Sequence, residues 1–333
     1  MKRASGLIGG LVASCIAGAT FAAELPPPWA YGFKDPLPPN YQPRPYAGAP
    51  VAKPDPALRS LPGAKQQFTR AEINNRFGPA DWYPEDHPPM PEVVARGRPP
   101  DVVACALCHF PNGKGRPENA PIVGLPIAYF IEQMKHYKND RRRPADPRKL
   151  IHTQSMTDIA KAMTDEEMKI AAEYYGSMKF TPSIKVVETD RVPKTTISAG
   201  MFLPVEGGET EPIGNRIIEV PENAEAVDVL RSPRIGFIAY APVGSIKKGE
   251  ALVTRSGGKS PLPCGVCHGP DLKGMLNVPA IAGRSPSYIV RQLFDMKSGT
   301  RKGPGTDQMK PFLTHLTADD MLAIAAYTAS RQP

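Results

Sequence analysis

Cysteine is scarce in this chain, with five in 333 residues. Four of them stand in two five-residue motifs and the fifth, Cys15, lies near the N-terminus, so no thiol is spare. Beyond that N-terminal stretch there is no run of roughly 18 or more apolar residues, which excludes a membrane-spanning helix from the processed chain. Nucleic-acid-binding motifs are also missing, although Lys and Arg exceed Asp and Glu to give a formal charge of +8. A surplus of that size points to steering of acidic protein partners, or simply to solubility.

What is present is the pattern Cys-x-x-Cys-His, twice: Cys105-Ala-Leu-Cys108-His109 and Cys264-Gly-Val-Cys267-His268. This spacing attaches a c-type haem, the two sulfurs forming thioethers and the histidine ligating the iron. Zinc needs four ligands per site, and neither half of the chain offers another cysteine. Two covalent haem c groups are therefore expected, held by Cys105, Cys108 and His109 and by Cys264, Cys267 and His268.

Lys2 and Arg3, the apolar run from Leu7 to Ile16 and the small residues around Ala22 read as an export signal over residues 1–22. Cleavage there removes Cys15. The competing reading is a lipoprotein signal at Val12-Ala-Ser-Cys15, and it suffers from an apolar run that continues past the cysteine. Prolines are abundant, forty in all, and nineteen of them fall between Glu24 and Pro100. An extension over residues 23–88 is accordingly neither mostly helix nor central strand. Its one good helical stretch is Phe68 to Phe77, with Thr69 and Glu72 as a capping box. The extension is expected to wrap the first haem domain.

An internal repeat follows. Cys105 recurs as Cys264, an offset of 159 kept by Tyr129/Tyr288, Gln133/Gln292 and Arg142/Arg301. The offset then becomes 153, shared by Met156/Met309, Thr164/Thr317, Met168/Met321 and Tyr174/Tyr327, so the second copy is six residues shorter before its methionine. Each copy reads as short helices, residues 89–180 and 245–333. One helix opens at Pro126 or Ser285-Pro286, and a closing helix is capped by Thr164-x-x-Glu167 or Thr317-x-x-Asp320. Between the copies, β-prone runs at residues 184–192, 215–220 and 235–240 indicate a small strand-containing connector over 181–244.

His109 and His268 are the proximal iron ligands, each expected to orient its ring on a carbonyl: Pro279 in the second copy, Ala120 or Pro121 in the first. Of twelve methionines, the repeat selects Met156 and Met309 as sixth ligands, because a soft thioether favours ferrous iron and the two occupy equivalent positions. Met168 and Met321 are also equivalent but fall on the apolar face of the closing helix. His87, His136, His152 and His315 are not duplicated and read as surface or loop residues. Tyr129 and Tyr288, Arg142 and Arg301, and Arg284 are candidates for haem propionate contacts, their repetition being equally consistent with helix packing.

The second copy, with Pro279-Ala-Ile-Ala-Gly283, Tyr288, Gln292, Gly299-Thr-Arg301, Met309 and Leu316-Thr-Ala-Asp-Asp320, resembles the domains of tandem dihaem class I cytochromes c. The first copy departs from that pattern where Phe110 replaces the glycine after the histidine and where Arg141-Arg-Arg143 precedes a longer loop. The resemblance implies a mainly α fold, two cytochrome c domains in tandem joined by the β-containing connector and preceded by the irregular extension. It implies an electron-transfer protein rather than an enzyme. The expected role is a periplasmic carrier of single electrons between a dehydrogenase or respiratory complex and a terminal acceptor, with membrane association only through a partner. The alternatives are a haem subunit of a periplasmic dehydrogenase and a dihaem peroxidase-like enzyme. The peroxidase reading needs one open iron, and the duplicated methionine opposes it.

Overall fold

The computed structural model describes residues 25–33 and 55–333; the export signal expected over residues 1–22 lies outside them. In the extension, the Thr69–Glu72 capping box forms, but helix α1 stops at Arg70–Ile73 instead of continuing to Phe77. Asn74 Nδ2 donates to the Arg70 carbonyl and Asn75 Oδ1 accepts from the Phe77 amide, so two asparagine side chains divert the backbone from the helical ladder.

The first copy contains α2 (Glu92–Ala95), α3 (Cys105–His109), α4 (Ile127–Lys138), α5 (Leu150–Ala162) and α6 (Asp165–Ser177). After it come strands β1 (Ile184–Glu188), β2 (Arg191–Pro193), β3 (Thr195–Ser198), β4 (Met201–Pro204), β5 (Thr210–Pro212) and β6 (Ile218–Pro221), then α7 (Ala224–Asp228) and β7 (Phe237–Ala241). The second copy is α8 (Ser245–Arg255), α9 (Gly265–His268), α10 (Pro286–Lys297), α11 (Pro304–Leu313) and α12 (Ala318–Ser330). α4 and α10 coincide under the 159-residue offset and α6 and α12 under the 153-residue offset. The capping boxes Thr164–Glu167 and Thr317–Asp320 both form.

In the connector the sheet runs β1-β7-β6, with β1 parallel to β7 and β6 antiparallel to it. β3 and β4 form a tight hairpin, since Ala199 (φ 49°) and Gly200 (φ 85°) supply the two positive φ angles of a type I′ turn. Two cores result. Met168, Ala171, Ala172 and Tyr175 of α6 meet Phe130 and Met134 of α4 in the first copy, whereas Ile127 at the start of α4 stays 43% exposed. The second copy and the connector share one core, which residues 29–33 also enter.

The extension touches the first copy, where Tyr174 Oη meets His87 and Ala104 N donates to the Arg76 carbonyl, but its apolar side chains pack elsewhere. Leu61, Ile73, Trp82 and Tyr83 pack on Ala226 and Leu230 of the connector, with Trp82 Nε1 donating to the Leu230 carbonyl at 2.7 Å. Its beginning, Trp29 to Phe33, docks on the second copy: Tyr31 Oη donates to Asp295 at 2.8 Å and Arg291 Nη1 donates to the Ala30 carbonyl at 2.6 Å. Among the described residues no helix is long and apolar enough to cross a membrane.

Candidate functional site

Each Cys-x-x-Cys-His motif folds as a single short helical turn, α3 or α9, which sets its two sulfurs one turn apart with the histidine directly after. His109 Nδ1 lies 2.8 Å from the Ala120 carbonyl, and His268 Nδ1 lies 2.8 Å from that of Pro279. A carbonyl can only accept, so Nδ1 carries the proton in both rings and Nε2 keeps its lone pair. Burial lowers both imidazole pKa values, the carbonyl bonds opposing it, which keeps the rings in the neutral form that ligates metal. Gly115 N and Gly274 N close the following loops on the His109 and His268 carbonyls at 2.9 and 2.8 Å. Burial pushes the Cys105 thiol up to about 12 and the Cys264 thiol up to about 11, so neither is a reactive thiolate at neutral pH.

Phe110 follows His109 with φ at 63°, a left-handed conformation that its counterpart Gly269 adopts (φ 82°) without a Cβ penalty. Burial of the ring, 3% exposed, and a hydrogen bond from Tyr175 Oη to its carbonyl offset that strain.

Met156 and Met309 lie within helices α5 and α11, half-buried and packed against the first and second core respectively. Met163, Met168 and Met321 are fully buried core residues. The histidines divide differently from the expectation that all are surface or loop residues. His315 is exposed, but His136 is buried where the copies meet, packed so tightly on Gly303 that a Cβ there would stand 2.2 Å from its ring. His87 bridges Asp81 and Tyr174 Oη at 3.2 and 3.0 Å.

The remaining repeated residues come together at the junction of the copies. Arg142 Nη2 donates to Tyr288 Oη (3.0 Å) and Gln292 Oε1 (2.9 Å), and Arg142 Nη1 donates to Gln133 Oε1 (3.3 Å). In near two-fold relation, Arg301 Nη2 donates to Tyr129 Oη (3.0 Å) and Gln133 Oε1 (3.0 Å), and Nη1 to Gln292 Oε1 (2.8 Å). Antiparallel backbone pairing of Arg142 with Arg301 holds the two strands of chain together. Burial alone would raise the Tyr288 pKa, but the surrounding Arg142, Arg301 and Arg284 reverse the sign and lower it.

Arg284, a candidate for a propionate contact, gives donors to three carbonyls: Nε to Ala280 at 2.7 Å, Nη1 to Pro121 at 2.6 Å and Nη2 to Val123 at 3.2 Å. It therefore ties the copies together, and its burial lowers its pKa to about 10. Arg301 Nε is buried without a hydrogen-bond partner.

The donor set fits a c-type haem in each copy: two sulfurs one turn apart, an imidazole with its outer nitrogen open, and a thioether on a separate helix. The unpaired Arg301 Nε and the guanidinium-rich junction fit anionic haem propionates. Residues 29–33 and Arg291 escaped the sequence reading. The only signal for them was the aromatic pair in Trp29-Ala-Tyr31 just beyond the signal.

No family model matches the chain. The thiosulfate dehydrogenase electron acceptor of Stutzerimonas stutzeri is 37% identical over 238 residues, covering 70% of this chain and 82% of that protein. The protein of the same description from Thiomonas intermedia is 24% identical over 237 residues, covering 70% and 81%. Cytochrome c4 of Thiocapsa roseopersicina is 37% identical over 98 residues, 29% of this chain and 45% of its own length.

Proposed function

Because the chain belongs to the family of the thiosulfate dehydrogenase electron acceptors, tandem class I cytochromes c, we propose how its residues carry out the electron transfer that defines that family. The chain is an electron-transfer protein holding haem c and exchanging electrons with redox protein partners. The proposal is that it holds two haems. Thioethers from Cys105 and Cys108 and from Cys264 and Cys267 fix them, His109 and Met156 ligate the first iron, and His268 and Met309 the second. Haem c, when bound, supplies one-electron exchange at iron with no bond made or broken.

The chain's own residues set the terms of that exchange. The Ala120 and Pro279 carbonyls hold the imidazoles by Nδ1–H and raise their basicity. The Met156 and Met309 thioethers would hold the irons opposite the histidines, and a soft sulfur donor there would favour the ferrous state and leave no room for a substrate. Tyr129, Tyr288, Arg142 and Arg301 form the junction between the copies, and the two guanidinium charges would offset nearby propionates. The observation that carries this reading is the pair of equivalent histidines, each with its outer nitrogen free. The donor is then the catalytic subunit of a dehydrogenase oxidising a reduced sulfur compound such as thiosulfate, in the periplasm, after export by residues 1–22.

Two covalent haems per chain are expected in a pyridine haemochrome assay. Met309→Ala and Met156→Ala are each expected to abolish the methionine-to-ferric-iron absorption of one haem and to lower its potential in an optical redox titration. Retention of that absorption from both haems in either variant would remove the methionine from the ligand set.

A further inference from the structure

The extension carries one histidine, His87, and holds it as a cation beside the first attachment motif. The His87 side chain is only 4% exposed. Its Nε2 lies 3.2 Å from Asp81 Oδ1, and its Nδ1 lies 2.9 Å from the Pro88 carbonyl and 3.0 Å from Tyr174 Oη. Tyr174 Oη gives its own proton to the Pro111 carbonyl at 2.8 Å, so toward His87 it can only accept. Both ring nitrogens therefore face acceptors, an arrangement that the doubly protonated ring alone satisfies. Burial by itself would lower the His87 pKa. The bonds to Asp81 and the Pro88 carbonyl, with the charges of Asp81 and Asp86, outweigh it and raise the pKa above the ordinary imidazole value.

The charged and titratable groups around the ring come from three parts of the chain. Asp81 and Asp86 belong to its own segment, and Asp86 is held by Arg234 of the connector and feels Lys114 of the first copy. Tyr174 belongs to α6, and burial pushes its phenol well above the ordinary range, so it stays neutral. On ordinary values the imidazole is the member of this set that changes charge nearest neutrality. Two hydroxyls then connect it to the first motif. Tyr174 Oη ends on Pro111, two residues after His109, and Tyr175, whose ring meets that of Tyr174 edge-on at 4.9 Å, ends on the Phe110 carbonyl. The second copy has Tyr327 and Thr328 at these positions, and the Thr328 hydroxyl bonds Ala325 within its own helix. The part of the extension that docks on the second copy, residues 29–33, contains no histidine.

We infer that His87 is a redox-linked proton site: reduction of the first haem draws a proton from solvent onto His87, and oxidation releases it. The inference rests on the two-haem reading above and adds a proton to the electron transfer of one of the two. The electron arrives from the redox partner and takes ferric iron to ferrous. The proton arrives from water and forms the Nδ1–H bond of His87, while the Tyr174 hydroxyl, turned toward Nδ1 when the ring is neutral, returns to the Pro111 carbonyl. No other bond is made or broken. The coupling is electrostatic, because ferric iron carries one more positive charge than ferrous and opposes the imidazolium. Linkage makes the effect reciprocal, so a proton held less tightly in the oxidised state means an electron held less tightly once the proton has left. The potential of the first haem therefore falls as pH rises between the oxidised-state and reduced-state pKa values of His87, and is level on either side.

The test uses the full-length, haem-loaded protein, with the first haem assigned in NMR spectra through the thioether protons of Cys105 and Cys108. The His87 ring protons are titrated from about pH 5 to about pH 9 in fully reduced and fully oxidised samples. Proton binding is expected to be about threefold or more tighter in the reduced state, the scale of unit charges acting across one domain at an effective dielectric of about 20. The potential of the first haem should fall by the same ratio over that range, roughly 30 mV at about 59 mV per tenfold for one electron. His87→Gln should abolish this fall and leave the pH profile of the second haem unchanged. His87→Arg keeps the charge at every pH tested and should hold the first potential at its low-pH level, which a merely structural role of the ring would not produce. Equal proton affinity of His87 in the two redox states, or an unchanged slope in His87→Gln, overturns the inference. The first of these readouts needs no variant, so a substitution that fails to fold does not shield it. A chain without two covalent haems contradicts the functional reading and this inference together, whereas a haem-loaded chain whose His87 ignores the redox state contradicts only the inference.

Discussion

Arg142 and Arg301 show how one residue type, repeated once, serves both halves of the molecule. Each guanidinium makes three side-chain hydrogen bonds, and four of the six cross from one copy to the other. A lysine keeps the charge but cannot present a planar fork to Tyr and Gln oxygens together. Arg142→Lys and Arg301→Lys are each expected to cost about 2 kcal/mol, read as a lower urea midpoint at unchanged m-value. The double variant should lose less than the sum, because both arginines share Gln133 and Gln292. That these residues repeat was visible in the sequence. That each partners the other copy was not, because a repeat states equivalence and says nothing about which surfaces meet.

At the scale of the element, the closing helices were the most legible part. Thr164–Glu167 and Thr317–Asp320 announce their starts, and Met168, Ala171, Ala172 and Tyr175 trace one buried face of α6. Thr317→Ala should remove the cap of α12 and lower stability by about 1 kcal/mol in thermal unfolding. α8 meets α12 at Gly249, where a Cβ would stand 2.0 Å from the Ala323 carbonyl. Gly249→Ala must therefore push two helices apart, at an expected cost of about 2–3 kcal/mol, despite alanine's better helix propensity. A gain in stability would show that the crossing yields freely. The helix expected over 68–77 failed for an equally local reason, since Asn74 and Asn75 bond backbone that the helix would need.

The whole molecule is held by contacts that join parts remote in sequence. Asp295 accepts from Tyr31 Oη in the extension and from Ala145 N in the first copy, with Arg291 and Arg301 also close to it. Burial raises its pKa to about 6, these donors and cations only partly opposing it. The sign of the pH dependence follows. An unfolded carboxylate titrates near 3.9, so on acidification from neutral pH the folded state takes up this proton first. Asp295 thus makes the fold more stable as pH falls through about 6 toward about 4. Asp295→Asn should abolish that component in unfolding midpoints measured across this range. Tyr31→Phe leaves the buried carboxylate short of a donor and should cost about 1–2 kcal/mol, with a Tyr31→Phe protein of unchanged stability showing that residues 29–33 do not clasp the second copy.

What the sequence determined by itself is chemistry written in short spacing. Two Cys-x-x-Cys-His motifs need only one helical turn each, and capping boxes need only four residues. The 159- and 153-residue offsets fix which residues of one copy answer to which of the other. The tertiary structure decided what those equivalences became. Arg284 clamps the Pro121 and Val123 carbonyls of the first copy, and His136 moved from surface to junction. Leu107 and Val266, equivalent in sequence, ended buried and exposed. The reason is physical: burial depends on which segments, however distant along the chain, come to lie against a surface, and only the folded chain brings the extension and connector against the Cys105–His109 motif while leaving Val266 of the other motif in water.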